Sequence, residues 1–234
     1  MISRKDVDGQ DRKAVFSALR SFDHTVGLTD EDLFAQTFSL MNLSGEGLSV
    51  VKDMVSEGNF LEAADQLADY FHNRSQSILG PCPSGAELAD EILGNFFTFY
   101  GEKHDLGVDI DWEHTPGTGH WVHDLDRFSY LRPLVGACYG KDDRRYGEKA
   151  VGLMMDWIAK TDVCDAFVPK KSPHVWMSYL NIQIHVSVWA EALEHLFPSK
   201  FLSGRDLMIL LKSVHDQLAY LEIVIPEQNS NWVV

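Results

Sequence analysis

The chain has 234 residues, enough for one large domain or two small ones with a core that needs no disulfide or metal staples. Hydrophobic residues make up 45% and charged residues 24%, a globular composition that excludes a disordered or fibrous chain. Twenty Lys+Arg against 35 Asp+Glu leave a net charge of −15 with histidine neutral, which argues against nucleic acid or an anionic membrane as a partner but permits a local basic cleft.

The opening Met1-Ile2-Ser3-Arg4-Lys5-Asp6 has basic residues with no apolar stretch behind them, so no signal peptide is visible in the chain as written. The periodicity that follows is helical almost throughout. Ala14, Ala18 and Phe22 form a short stripe, and Phe60, Ala64, Leu67 and Phe71 form a longer one after Gly58-Asn59. Leu88, Ile92, Phe96 and Phe99 predict a helix opened by Ser84 and closed by Gly101. Trp121, Leu125, Phe128, Leu131 and Val135 predict another, stopped by Gly140, and Tyr146, Ala150, Leu153 and Trp157 a third. Ile182, Val186, Trp189, Leu193 and Leu196 run to Pro198; Leu207, Leu211, Val214, Leu218, Leu221 and Ile225 run from Ser203 to Pro226. The expected fold class is all-α, with amphipathic helices joined by short Gly/Pro/Asp loops.

Two longer loops, Gly101 to Gly119 and Thr161 to Pro173, interrupt the rhythm, and long loops on a helical scaffold are where binding groups tend to sit. At the far end, Pro226-Glu227-Gln228-Asn229-Ser230-Asn231 is a polar turn, and Trp232-Val233-Val234 reads as the first turn of another helix. This pattern is expected of the N-terminal part of a longer protein; a frayed apolar tail is the plainer alternative.

Chemistry-bearing residues concentrate between Asp109 and Arg127. His120, Asp124 and Arg127 can share one helical face, with His123 beside them. No HExxH or Cys-x-x-Cys accompanies them, and Cys82, Cys138 and Cys164 are scattered, so no metal site is expected. No Gly-x-Ser-x-Gly, P-loop or GxGxxG is present, and no cofactor is expected. Asp109, Asp111 and Glu113 offer carboxylates of the kind glycoside hydrolysis uses, but a solvated acidic loop accounts for them equally well. Six tryptophans are many for an ordinary core. Those on the stripes belong there by default; Trp112 and Trp232, in a loop and at a helix start, could each expose a flat indole on which a sugar ring stacks.

Several segments resemble the heparinase II/III family of polysaccharide lyases. Phe60-Leu61-Glu62-Ala63-Ala64-Asp65-Gln66-Leu67-Ala68-Asp69-Tyr70-Phe71 with Arg74 is similar to its opening helix. Asp109-Ile110-Asp111-Trp112, then Trp121 and Leu125-Asp126-Arg127-Phe128, resemble its tryptophan-rich loop and Leu-Asn-Arg helix, with Asp126 where Asn is usual. Tyr139-Gly140-Lys141-Asp142-Asp143-Arg144-Arg145-Tyr146 resembles its Thr-Gly-Asp-x-x-Tyr turn. Trp157, Trp176 and Trp189 fall at its tryptophan positions, and Glu227-Gln228 with Ser230-Asn231-Trp232 is similar to the segment around its catalytic asparagine.

The resemblance implies an incomplete (α/α) toroid of antiparallel helical hairpins over 59–234, a helical extension over 1–58, and a C-terminal remainder. It implies β-elimination on an anionic uronate polysaccharide or oligosaccharide, heparan sulfate- or alginate-like, in the periplasm or outside the cell. Asn231 would hold the uronate carboxylate, with Trp112, Trp121, His123, Arg127 and Trp232 as substrate contacts. The family's base, a Tyr or His downstream of that Asn, matches nothing here, so the chain alone is expected to be weakly active or inactive. A non-catalytic glycan-binding helical domain is the alternative, and a helical scaffold with all tryptophans in its core is a third reading. For Asn231 itself, a helix N-cap is the competing role.

Overall fold

The computed structural model describes residues 29–75, 86–112, 119–141, 143–160, 179–198 and 202–224. Among them are nine helices and one two-stranded hairpin. The helices are α1 (Asp30–Ser39), α2 (Ser49–Ser56), α3 (Phe60–Ser75), α4 (Ala86–Leu93), α5 (Gly119–Asp126), α6 (Leu131–Lys141), α7 (Arg144–Lys160), α8 (Tyr179–Leu196) and α9 (Gly204–Val224); the strands β1 (Phe96–Phe99) and β2 (Glu102–Asp105) lie between α4 and α5. The stripe at Ala14, Ala18 and Phe22, the cap at Ser84, the loop from Thr161 to Pro173, Trp176, and the segment holding Asn231 and Trp232 lie outside the described residues.

Side-chain caps open two of the helices. Thr29 accepts the Asp32 amide at 3.1 Å, and three acidic residues in the first turn of α1 favour the positive end of its dipole. Ser203 does the same for α9, accepting the Asp206 amide at 3.1 Å while its hydroxyl donates back to the Asp206 carboxylate at 2.8 Å.

Two expected helices are wrong in part. The stripe Leu88, Ile92, Phe96, Phe99 does not continue as a helix: α4 stops at Leu93, and Phe96 and Phe99 belong to β1. Gly94-Asn95 ends the helix, with Asn95 in the left-handed region (φ 62°). Phe-Phe-Thr-Phe suits a half-buried strand better than a helix. Tyr100 (φ 55°) and Gly101 (φ 80°) then form the reversal that a tight hairpin needs, pairing Phe96 with Asp105 and Phe99 with Glu102. The stripe from Trp121 to Val135 is likewise two helices, α5 and α6, broken at Phe128. Phe128 holds φ 58°, an unfavourable conformation for a bulky residue. Its ring lies against Trp112, Tyr130, Trp157, His185 and Trp189, and that burial outweighs a backbone strain of order 1–3 kcal/mol.

The helices pack as successive hairpins, α2 on α3, α6 on α7 and α8 on α9, with α9 also lying across α3, α1 and α7. The crossing of α9 on α3 is very close: a Cβ at Gly204 would sit 2.5 Å from backbone atoms of Ala64 and Asp65, and only glycine fits. The Tyr146 hydroxyl donates to Asp90, tying α7 to α4. α9 does not bury only the stripe expected of it. Leu207 and Leu221 are buried, but so are Lys212, Ser213, Asp216 and Gln217, while Leu218 is 50% exposed. The Lys212 ammonium donates to both Asp216 oxygens at 2.7 and 2.5 Å, so the two buried charges on this inward face are matched within the helix.

Candidate functional site

The residues picked out between Asp109 and Arg127 separate into a buried set and a half-buried set. Trp112 is only 3% exposed, so it cannot be the open platform expected of it. Its indole stacks on Phe128 at 5.3 Å and 17°, and its N–H donates to Asp156 at 2.8 Å. Trp121 is fully buried, edge-on to Phe99 and His104 at 4.9 Å each, and donates to the Glu102 carbonyl at 3.0 Å. Both rings find apolar partners and a fixed acceptor inside the fold, which removes any gain from facing a sugar. They act as walls that hold α5 against the hairpin and α7.

His123, Asp124 and Arg127 remain half-buried, on the last turn of α5 and just past it. They meet Asn181, at the start of α8. Arg127 Nε donates to Asn181 Oδ1 at 3.0 Å, Arg127 Nη1 donates to Asp124 Oδ1 at 3.0 Å, and the Asn181 amide nitrogen lies 2.6 Å from His123 Nδ1. Tyr100, at the hairpin tip, donates to Asp124; this bond and the carboxylate's charge hold its hydroxyl above the usual phenol value. His123 is held below the usual imidazole value, first by burial, then by the charges of Arg127 and His120. The His120 ring lies 6.3 Å from that of Tyr100. The exposed elements of this cluster are a neutral imidazole and a guanidinium with two of its five N–H donors committed to Asn181 and Asp124.

One turn deeper, the same helix pair is buried. His185 is buried, with its ring 4.6 Å from Phe128, 4.6 Å from Trp157 and 4.3 Å from Trp189. Its Nδ1 meets the Asp126 carbonyl at 2.9 Å. Burial pushes the imidazole down to about 3. The Asp126 carboxyl is buried and held well above the carboxylate range by desolvation, against the weaker pull of Arg127. Asp126 Oδ1, His185 Nε2 and the Tyr130 hydroxyl find no hydrogen-bond partner among the described residues. Tyr130 is pushed well above the phenol range by burial and by Asp126, which makes it a poor proton acceptor at neutral pH.

The structure therefore brings together His123 and Arg127 of the expected contacts, sets Trp112 and Trp121 in the core, and leaves Asn231 and Trp232 outside the described residues. Asn181 was missed. The signal for it was present: Asn181 and His185 are polar residues four apart on a helix whose other inward positions, Ile182, Val186, Trp189 and Leu193 among them, are apolar.

The helical hairpins define the class, an incomplete (α/α) toroid. The chain belongs to the heparinase II/III N-terminus family, whose sequence profile matches residues 37–234. It is 30% identical over 144 residues to a heparin-sulfate lyase of Bacteroides stercoris, covering 56% of this chain and 21% of that protein. It is 24% identical over 231 residues to a heparin-sulfate lyase of Pedobacter heparinus, covering 88% of this chain and 34% of that protein. In structure it is similar to heparan sulfate lyase HepC from Pedobacter heparinus, with a TM-score of 0.69 at 21% identity over 84% of this chain and 32% of the other. A heparinase III gene product with methylated lysines matches with a TM-score of 0.69 at 22% identity, covering 84% and 34%. The chain thus spans about a fifth to a third of the length of these relatives. No helix among the described residues is long and apolar enough to cross a membrane.

Proposed function

We infer that this helical domain serves a lyase that cleaves a uronic-acid-containing polysaccharide, heparan sulfate- or alginate-like, by β-elimination, and that the His123–Arg127 cluster contacts the anionic sugar. The observation that supports this most is the cluster itself. On a chain of net charge −15, a guanidinium and a neutral imidazole are held half-exposed by a buried amide and offered at a helix end. Two donors of that kind suit a carboxylate or sulfate oxygen. The names of the relatives point to the same substrate class.

The difficult step in such a reaction is removal of the proton at C5, beside the uronate carboxylate. A fixed amide donor on that carboxylate stabilises the charge that develops there. Asn231 takes this role in our reading, and Trp232 beside it offers a stacking face. A Tyr or His supplied by the C-terminal remainder takes the C5 proton and returns one to the leaving oxygen. Secretion or a periplasmic location fits the substrate.

A second reading, glycan binding without catalysis by this chain, is favoured by one observation. Among the described residues, two groups near the cluster that could accept a proton are poorly poised: His123 Nδ1 is engaged by Asn181, and Tyr130 is buried. Two measurements separate the readings. Titration of this chain with uronate oligosaccharides, followed by calorimetry and tryptophan fluorescence, should show salt-sensitive binding; none at millimolar ligand would overturn both. Unsaturated product, followed by ultraviolet absorbance in the lyase carrying the remainder, should fall about 100- to 1000-fold for Asn231→Ala. Near wild-type turnover with folding intact would reduce Asn231 to a helix cap.

A further inference from the structure

We propose that Asn181 is the positioning residue of this site: its side-chain amide locks His123 as the Nε2–H tautomer, so that the imidazole serves as a fixed hydrogen-bond donor beside Arg127 rather than as a proton acceptor. The proposal builds on the reading of the cluster as the sugar-contacting face, but its geometry stands without a ligand.

The deduction needs no visible hydrogens. A guanidinium can only donate, so the Asn181 atom 3.0 Å from Arg127 Nε must be the carbonyl oxygen. The amide nitrogen is then the atom 2.6 Å from His123 Nδ1. An amide nitrogen can only donate, so Nδ1 must accept through its lone pair. A neutral imidazole with Nδ1 bare carries its hydrogen on Nε2. Protonating the ring would set one N–H against another. An amide oxygen facing His123 would favour the imidazolium instead, but that oxygen is already held by Arg127.

The surrounding charges agree on balance. On α5, Arg127 and His120 disfavour a charged ring and Asp124 favours it; the hairpin contributes Tyr100, which donates to Asp124; α8 contributes the amide of Asn181. Burial of the ring is the largest influence, and it also favours the neutral form. Asn181 is itself fully buried, so its side chain is fixed by packing and transmits that rigidity to both partners. The result is a pair of donors, imidazole Nε2–H and guanidinium, which suits an oxyanion such as a carboxylate or sulfate.

Long-range proton–nitrogen correlation spectra of the 15N-labelled chain read each histidine ring directly, and His123→Gln identifies the His123 signals. The expected wild-type spectrum has a protonated Nε2 and a bare Nδ1 at neutral pH, with the midpoint below that of an ordinary histidine. Asn181→Asp offers a carboxylate that accepts from both neighbours. The ring hydrogen should then move to Nδ1, and the midpoint should shift upward. Asn181→Ala should leave a mixture of the two tautomers. A wild-type ring protonated at Nδ1, or an Asn181→Asp variant that folds with tautomer and midpoint unchanged, overturns the proposal. Should Asn181→Asp fail to fold, the wild-type spectrum and Asn181→Ala decide it: a single Nε2–H tautomer kept unchanged in Asn181→Ala overturns the proposal. A uronate oligosaccharide added to the same samples should bind Asn181→Asp roughly tenfold more weakly than wild type. If wild type shows the expected tautomer and binds no oligosaccharide, the sugar reading fails and the positioning role stands.

Discussion

Asn181 and His185 lie one turn apart on α8 and meet consecutive turns of the same partner helix, yet they set up opposite environments. At the upper level, Asn181, His123, Arg127 and Asp124 satisfy one another in sight of water. At the lower level, His185 and the Asp126 carboxyl sit among Phe128, Trp157 and Trp189 with polar atoms unmatched among the described residues. Four residues of chain separate His123 from Phe128, and the left-handed kink at Phe128 makes the difference. It ends α5 and drives an aromatic ring downward, sealing the lower level while Arg127 stays above it. A buried histidine here is therefore no guide to the chemistry; the half-buried one is. The contrast can be broken or sharpened by changing one level and reading the other.

The largest expected effect belongs to the lower level and to acid. The folded His185 titrates at about 3 against about 6.5 when unfolded, so between those values the unfolded chain binds a proton that the folded one refuses. Stability is therefore full above pH ~6.5 and is lost as pH falls toward ~3, by about 3 kcal/mol on reaching pH ~4. Urea unfolding of wild type and His185→Leu across that range checks this: the variant should lack the loss attributable to the imidazole. Parallel pH profiles would mean that His185 is hydrated, and the two levels would cease to differ.

Asp126 pulls the opposite way. Its folded carboxyl titrates above the unfolded value, so the folded chain holds a proton that the unfolded one releases, and stability falls as pH rises through that window. Asp126→Asn keeps the shape and removes the charge. We expect it to match wild type at acid pH and to exceed it by about 1–3 kcal/mol at neutral pH, the penalty of a buried group left unmatched. An Asn variant no more stable at neutral pH would mean that the carboxylate is matched by a group outside the described residues.

At the upper level, Arg127→Ala should weaken binding of uronate oligosaccharides about tenfold, with a smaller salt dependence than wild type, because one charge-assisted contact is gone. Arg127→Lys should recover little of this, since an ammonium cannot satisfy Asn181 and Asp124 with one planar fork. Equal affinities for wild type and Arg127→Ala in calorimetry would remove Arg127 from the binding face.

The helical class, the order of the later helices and the family were legible because their signals are local: stripes of period 3.6, a serine cap at Ser203, glycine and proline stops. The hairpin was not, because Phe96 and Phe99 satisfy the helical stripe as well as a strand; Gly94-Asn95 and Tyr100-Gly101 were the deciding signals. The break at Phe128 was invisible because only tertiary burial compensates its backbone, through rings as distant in sequence as Trp157 and Trp189. His123 and Arg127 were found by residue type; Asn181, 54 residues beyond Arg127, could be attached to them only in three dimensions. Trp112 misled for a plain reason: an indole in a loop looks exposed until the chain is folded, and here the loop lays it on Phe128.

The smallest expected effect separates charge from geometry at the upper level. Asp124 pairs with Arg127 at 3.0 Å, with each side chain 25% exposed, and also accepts from Tyr100. A half-exposed pair of this kind contributes little to stability, so Asp124→Asn should alter unfolding free energy by no more than about 0.5 kcal/mol. The amide can still accept from Arg127 and keep the fork in place, but it no longer offsets the positive charge. Oligosaccharide binding should therefore strengthen a few-fold at low salt, and the gain should fade as salt screens the site. Tyr100 reports the same change independently. Its hydroxyl is held up by the bond and charge of Asp124, so its phenol titration should move down toward the ordinary value in the variant. Unchanged affinity together with the expected Tyr100 shift would show that ligand approaches another face of the α5–α8 seam; an unchanged Tyr100 would show that the hairpin tip does not engage Asp124 in solution.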